Sequence, residues 1–143
     1  MAERVCFEDV NVGDEIPRLV KEAVTEVQLV KYAGASGDFN PLHTVDATAK
    51  LAGFDGVIAH GMLVMGFVAQ ALTAWLPNRC LKRLKARFTA VTKPGDVITV
   101  TGRITAKKPE ENLIVGEIQA ADQRGEVKIK GGFEAVLPGR KEG

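Results

Sequence analysis

Gly61-Met62-Leu63-Val64-Met65-Gly66-Phe67-Val68-Ala69-Gln70-Ala71-Leu72-Thr73-Ala74-Trp75-Leu76 is the longest apolar run in the chain, and Pro77 follows it directly. Its apolar side chains go nearly all the way round a helical wheel. A helix over these positions is therefore expected to be surrounded by protein. The run is shorter than the roughly 20 residues needed to cross a bilayer, and Gln70 and Thr73 interrupt it. It reads as the centre of a globular core.

Beyond this run the period of the pattern changes to two. Leu84, Ala86, Phe88 and Ala90 alternate with Lys85, Arg87 and Thr89, which predicts a half-buried strand. Pro94-Gly95-Asp96 makes a turn. Three further strands follow, carried by Ile98, Val100, Ile104 and Ala106, by Ile114, Ile118 and Ala120, and by Val127, Ile129, Phe133 and Ala135. Gly116, Gly131 and Gly132 suggest bulges or strong curvature. Upstream, Val10 to Ile16 reads as an entry segment turning at Gly13-Asp14. Thr25 and Gln28 form a capping box for a helix over 26–35, with Val27, Leu29, Val30 and Ala33 as its apolar positions and Gly37 at its exit. A short helix from Asp46 to Ala52 ends at Gly53.

Helices first and then an antiparallel meander with one apolar face define an α+β class, a single domain over 1–143 with the sheet wrapped around the apolar helix. One layer of strands leaves edges open, so pairing of subunits as a homodimer or higher homo-oligomer is expected.

At 143 residues the chain fits one domain and can bury a core without staples. Its 19 basic and 18 acidic residues nearly balance, so nothing global points to nucleic acid or a membrane surface as a partner. Cys6 and Cys80 lack any framework spacing and read as free thiols in a reducing compartment. Acidic residues stand near the N-terminus where a signal peptide would carry an apolar core. A cytoplasmic location is expected.

The chemistry concentrates in Tyr32-Ala33-Gly34-Ala35-Ser36-Gly37-Asp38-Phe39-Asn40-Pro41-Leu42-His43. Asp38 and His43 are five residues apart around a proline, a spacing that fits neither a helix repeat nor one strand face. An irregular loop must bring them together. Asn40 can orient that loop, and Phe39 with the apolar helix is expected to bury the carboxylate. His60-Gly61 opens the apolar helix, where the first N–H groups lack intrahelical partners and could hold an enolate-like oxygen. Gly61 could equally serve only close packing, with His60 capping or packing. Asp38, His43, Asp46 and His60 show no familiar metal-ligand spacing, so neither a metal nor a cofactor is expected. Ser36 has no Gly-x-Ser-x-Gly context. Arg79, Lys82, Arg83, Lys85 and Arg87 form a basic cluster, either a solvated strand face or a landing surface for an anionic carrier, with Arg83 and Lys85 as its candidate contacts.

The 32–43 segment resembles the signature of the MaoC-like dehydratases and R-specific enoyl-CoA hydratases. His60-Gly61-Met62-Leu63 is similar to the start of that family's central helix. Phe88-Thr89-Ala90 with Pro94-Gly95-Asp96, and Phe7-Glu8-Asp9-Val10 through Gly13-Asp14, resemble its other signatures. Size and helix start are similar to the mycobacterial branch that dehydrates 3-hydroxyacyl carrier proteins. The resemblance implies a hot-dog fold, usually dimeric. It also implies reversible interconversion of (3R)-hydroxyacyl and trans-2-enoyl thioesters of coenzyme A or acyl carrier protein in fatty-acid metabolism. On this resemblance Asp38 and His43 are the catalytic pair, the Gly61 N–H is the oxyanion donor, and Asn40 supports them. Ala69 stands where some R-specific hydratases carry a helix serine, which leans towards the dehydratase side. Two rivals remain: a hot-dog acyl thioesterase, and a non-catalytic acyl-thioester-binding subunit of a hetero-oligomer.

Overall fold

The computed structural model describes residues 4–140. Its first helix, α1 (Glu26–Ser36), begins where Thr25 Oγ1 accepts the Gln28 N–H at 3.1 Å, and ends at Gly37, whose positive φ of 77° turns the chain out. Leu29 and Ala33 form its buried face. Val27 and Val30, expected on that face, are exposed. A short 3-10 turn, Pro41–His43, leads to α2 (Asp46–Leu51), and α3 (Gly61–Trp75) follows. Helix α3 stops at Leu76, whose ψ of 142° is the extended conformation a residue before proline prefers.

Only one side of α3 is covered. Leu63, Val64, Phe67, Val68, Ala71 and Leu72 are buried, whereas Met62 is 58% exposed and Gly66, Gln70 and Thr73 face outward. The expectation of a helix surrounded by protein is therefore met on one face within a single chain. Small and polar residues at 66, 70 and 73 line the open side.

The strands are β1 (Leu19–Val20), β2 (Leu81–Phe88), β3 (Thr99–Lys108), β4 (Leu113–Ala121) and β5 (Val127–Val136), in the spatial order β1-β3-β4-β5-β2. All neighbouring pairs are antiparallel. The last three strands make the expected meander. The first long strand does not continue it: β2 lies on the far edge beside β5. The connector from Thr89 to Ile98 crosses the end of the sheet to reach β3. Two-residue β1 is too short to show a period in the sequence. The β2 boundaries also shift, starting at Leu81 and ending before Thr89 and Ala90, with an irregularity between Leu81 and Arg83.

The inner sheet face supplies Ile98, Val100, Ile104, Ile114, Ile118, Ile129 and Phe133, all at most 2% exposed, against the covered face of α3. The glycines act by close approach. Gly131 pairs in register with Ala86, and a Cβ there would run into the Lys85 carbonyl; a Cβ at Gly116 would displace the Phe133 ring. The register shift near Gly116 sits across from it, between Ile104 and Ala106 of β3.

The crossing connector fixes the entry to α3. The Thr92 carbonyl accepts the Ala59 N–H at 2.7 Å, and Thr89 N–H donates to the Lys128 carbonyl of β5 at 2.9 Å. Lys128 itself is 2% exposed, and its Nζ reaches Val91 O at 2.8 Å, Asp122 Oδ2 at 3.2 Å and Glu126 Oε1 at 2.5 Å. No helix among the described residues is long and apolar enough to cross a membrane. Cys6 and Cys80 are unpaired with each other.

Candidate active site

The left-handed exit at Gly37 turns the chain from α1 into a loop held by its own short side chains. Ser36 Oγ accepts the Asp38 N–H at 3.2 Å, Asp38 Oδ1 accepts the Asn40 N–H at 3.2 Å, and Asn40 Oδ1 accepts the Leu42 N–H at 3.0 Å. Asn40 thus caps the Pro41–His43 turn, and among the described residues no hydrogen bond joins its side chain to the imidazole. These successive local turns resolve the five-residue spacing: the Asp38 and His43 side chains meet across the loop, with Oδ2 and Nε2 3.9 Å apart.

The two partners differ in burial. His43 is 11% exposed, whereas the Asp38 side chain is 51% exposed and Phe39 69%. The expectation that Phe39 would bury the carboxylate does not hold in a single chain, because Phe39 points away from the core. On its other side the His43 ring is fixed by Nδ1, 2.7 Å from the Ile58 carbonyl. A carbonyl only accepts, so Nδ1 carries the hydrogen and Nε2 is left facing Asp38. The sequence offered no signal for Ile58, since any residue's carbonyl could occupy that place.

His60 is 1% exposed, with its Nε2 3.1 Å from the Asp38 carbonyl. Its ring stacks on His43 at 3.8 Å between centroids, and Tyr32 of α1 meets it edge-on at 4.7 Å. His60 occupies the cap position of α3 but makes no side-chain cap bond, so of the two structural readings it packs. Gly61 follows at the first position of α3, where its N–H has no intrahelical acceptor. A Cβ at Gly61 would come 3.0 Å from the Phe88 ring, so the absent side chain lets β2 close against the helix start.

Asp38, His43 and His60 each place a potential ligand atom within 4.8 Å of the others. Each imidazole already gives one nitrogen to a carbonyl, and the two rings lie 24° from parallel. Imidazole lone pairs lie in the ring plane, so stacked rings direct them along nearly parallel lines. Gathering a metal would require breaking the stack. Asp46 is drawn elsewhere, its Oδ1 accepting the Val57 N–H at 3.0 Å.

Lys85 and Arg87 alternate on β2 with core-packed Leu84 and Ala86, so they belong to the opposite sheet face. There, with Arg18, Arg103 and Lys130, they line an open cleft of about 920 Å³ that contains none of Asp38, His43, His60 or Gly61. Arg83 is exposed on the same strand, and no hydrogen bond or ion pair among the described residues joins it or Lys85 to the site.

Comparison with known proteins identifies the family and the fold. A family model described as "MaoC like domain" matches residues 9–124. An (R)-specific enoyl-CoA hydratase of Rhodospirillum rubrum is 30% identical over 94% of this chain and 92% of its own length. A probable enoyl-CoA hydratase 2 of Dictyostelium discoideum is 38% identical, but the match spans 54% of this chain and 28% of that protein. The unliganded R-hydratase PhaJ1 of Pseudomonas aeruginosa superposes with a TM-score of 0.85 at 27% identity, over 96% of this chain and 88% of that one. The curved antiparallel sheet against α3 is a hot-dog fold, and the chain belongs to the MaoC-like dehydratase family.

Proposed function

We propose that this chain is a hydro-lyase that reversibly adds water across the double bond of trans-2-enoyl thioesters to give (3R)-hydroxyacyl thioesters. The observation that carries the reading is the open 3.9 Å gap between Asp38 Oδ2 and His43 Nε2, beside the start of α3. It is too long for a direct hydrogen bond and suits a water held by both groups. In the hydration direction Asp38 takes a proton from that water as its oxygen bonds to C3. The C2–C3 π pair moves towards the thioester carbonyl, and the charge developing on that oxygen is held by the Gly61 N–H. A proton passed back through His43 to C2 completes the addition and leaves the enzyme unchanged.

The substrate is a thioester of coenzyme A or acyl carrier protein, and the working unit is a homodimer. Strand β2 ends the sheet, and Phe39, Leu51, Met62 and Phe88 are 51–91% exposed, an apolar surface suited to a second copy and an acyl chain. The test is enoyl absorbance on trans-2-enoyl-CoA substrates of increasing length and on the carrier-protein forms. Reversible loss of the enoyl signal without thiol release supports the assignment. Release of free thiol points to a thioesterase, and activity only after adding a partner chain to a binding subunit; either result overturns it.

A further inference from the structure

The His60 ring touches both members of the Asp38–His43 pair, yet the proton path has no use for it. Among the described residues it is the least exposed of the buried polar residues, at 1%. Its Nε2 donates to the Asp38 carbonyl at 3.1 Å, which leaves Nδ1 with the lone pair. That buried Nδ1 meets no hydrogen-bond donor among the described residues. A buried acceptor without a donor opposes folding, so an apolar ring of similar size would serve stability at least as well.

What an apolar ring could not supply is the bond to Asp38. The Asp38 N–H is held by Ser36 Oγ at 3.2 Å and its carbonyl by His60, so the backbone is clamped on both sides while the carboxylate stays half exposed. The same imidazole lies on the face of His43, 3.8 Å between centroids, and its edge contact with Tyr32 ties it to α1. His43 is thereby confined between the Ile58 carbonyl at Nδ1 and the His60 ring.

We propose that His60 is a positioning residue: one ring fixes the Asp38 backbone by hydrogen bonding and the His43 plane by stacking, and so sets the distance between the two catalytic groups. The proposal rests on the hydratase reading for its kinetic arm alone. Two variants separate the contacts. His60→Phe keeps a ring against His43 and removes the donor; His60→Gln keeps a donor and removes the ring.

With a short trans-2-enoyl-CoA, each variant should lower kcat roughly tenfold or more while KM stays within about threefold, because orientation rather than binding is lost. The melting temperature of His60→Phe should not fall below that of the parent. Nitrogen NMR of the imidazoles should show His43 as the Nδ1–H tautomer in the parent and a mixture in His60→Gln. In an Asp38→Asn background, His60→Phe should cost little further, since it acts through Asp38. A parent-like kcat and His43 tautomer in both variants would overturn the proposal. So would rate losses matched by equal losses of folded protein. If the parent turns over no enoyl thioester, the hydratase reading fails, and the His43 tautomer still decides the role of His60.

Discussion

Asp122 and Asp38 each face a basic side chain, Lys128 Nζ at 3.2 Å and His43 Nε2 at 3.9 Å, and the two surroundings could hardly differ more. The Asp122 side chain is fully buried and its oxygens accept from the N–H groups of Arg124 and Glu126 at 2.9 Å, from Arg124 Nη2 at 3.0 Å and from Lys128. Asp38 is half exposed, and apart from His43 only the Asn40 N–H, among the described residues, meets its carboxylate. A saturated carboxylate has nothing left to give a substrate. An unsaturated one on a rigid loop keeps an oxygen free for chemistry. The protein thus keeps one set of charges shut between β5 and the crossing connector, and leaves the pair proposed for catalysis open at the start of α3.

The largest effect that could break this division is at Lys128. Lys128→Met leaves Asp122 and Asp96, 5% and 3% exposed, buried without their lysine, and should lower unfolding free energy by about 3 kcal/mol or more. Turnover per folded molecule should stay within about threefold of the parent. Urea titration beside an active-site-normalised assay measures both. A variant of parental stability with slow turnover would show that the buried cluster is functional.

Next in size are Asp38→Asn and His43→Gln. Each should cut kcat roughly a hundredfold or more and leave the urea midpoint nearly unchanged, the reverse of Lys128→Met. Near-parental turnover in either variant would end the assignment of the pair.

A smaller contrast lies in acid. Burial pushes the Asp122 carboxyl up, but the Glu126 and Arg124 N–H groups and Lys128 outweigh it and bring the pKa from 3.8 down to about 2. Between those values the unfolded chain binds the proton and the folded one does not. The stabilisation from Asp122 is therefore complete above about pH 3.8 and is lost as pH falls through about 2. Asp122→Asn should flatten the slope of stability against pH in that window. Glu8, held down chiefly by backbone N–H groups, titrates in both proteins and cancels from the comparison. Equal slopes would place the acid sensitivity elsewhere.

The open cluster was far more legible in the sequence than the closed one. Asp38, Asn40 and His43 lie in one short segment whose loop is made by local bonds, so the residues and their meeting could be read together. The α1 cap at Thr25 and the exit at Gly37 are local for the same reason. Lys128, by contrast, looks like an ordinary polar position on alternating β5; only the return of the 89–98 connector brings Val91 and Asp96 to it, a long-range event without a local signature. The placement of β2 beside β5 has no local signature either, because alternation reveals a strand but not its neighbour. His60 was visible as a residue, yet its stack on His43 depends on where α3 docks.

The smallest expected effect concerns a third set of charges, on β2, neither shut in nor aimed at the site. Arg83 and Lys85 are exposed, so Arg83→Glu with Lys85→Glu should shift stability by less than about 1 kcal/mol. If the strand docks the anionic part of a thioester carrier, KM should rise about two- to fivefold at low salt, with kcat unchanged and the rise vanishing near 0.5 M salt. An unchanged KM at low salt would assign these residues to a solvated face. Because Lys85 opens onto the cleft behind the sheet, a positive result would also require the carrier to reach around the edge of β2, which a dimer pairing along that edge would obstruct. Measuring KM together with oligomeric state therefore decides between a carrier and a second copy at this strand.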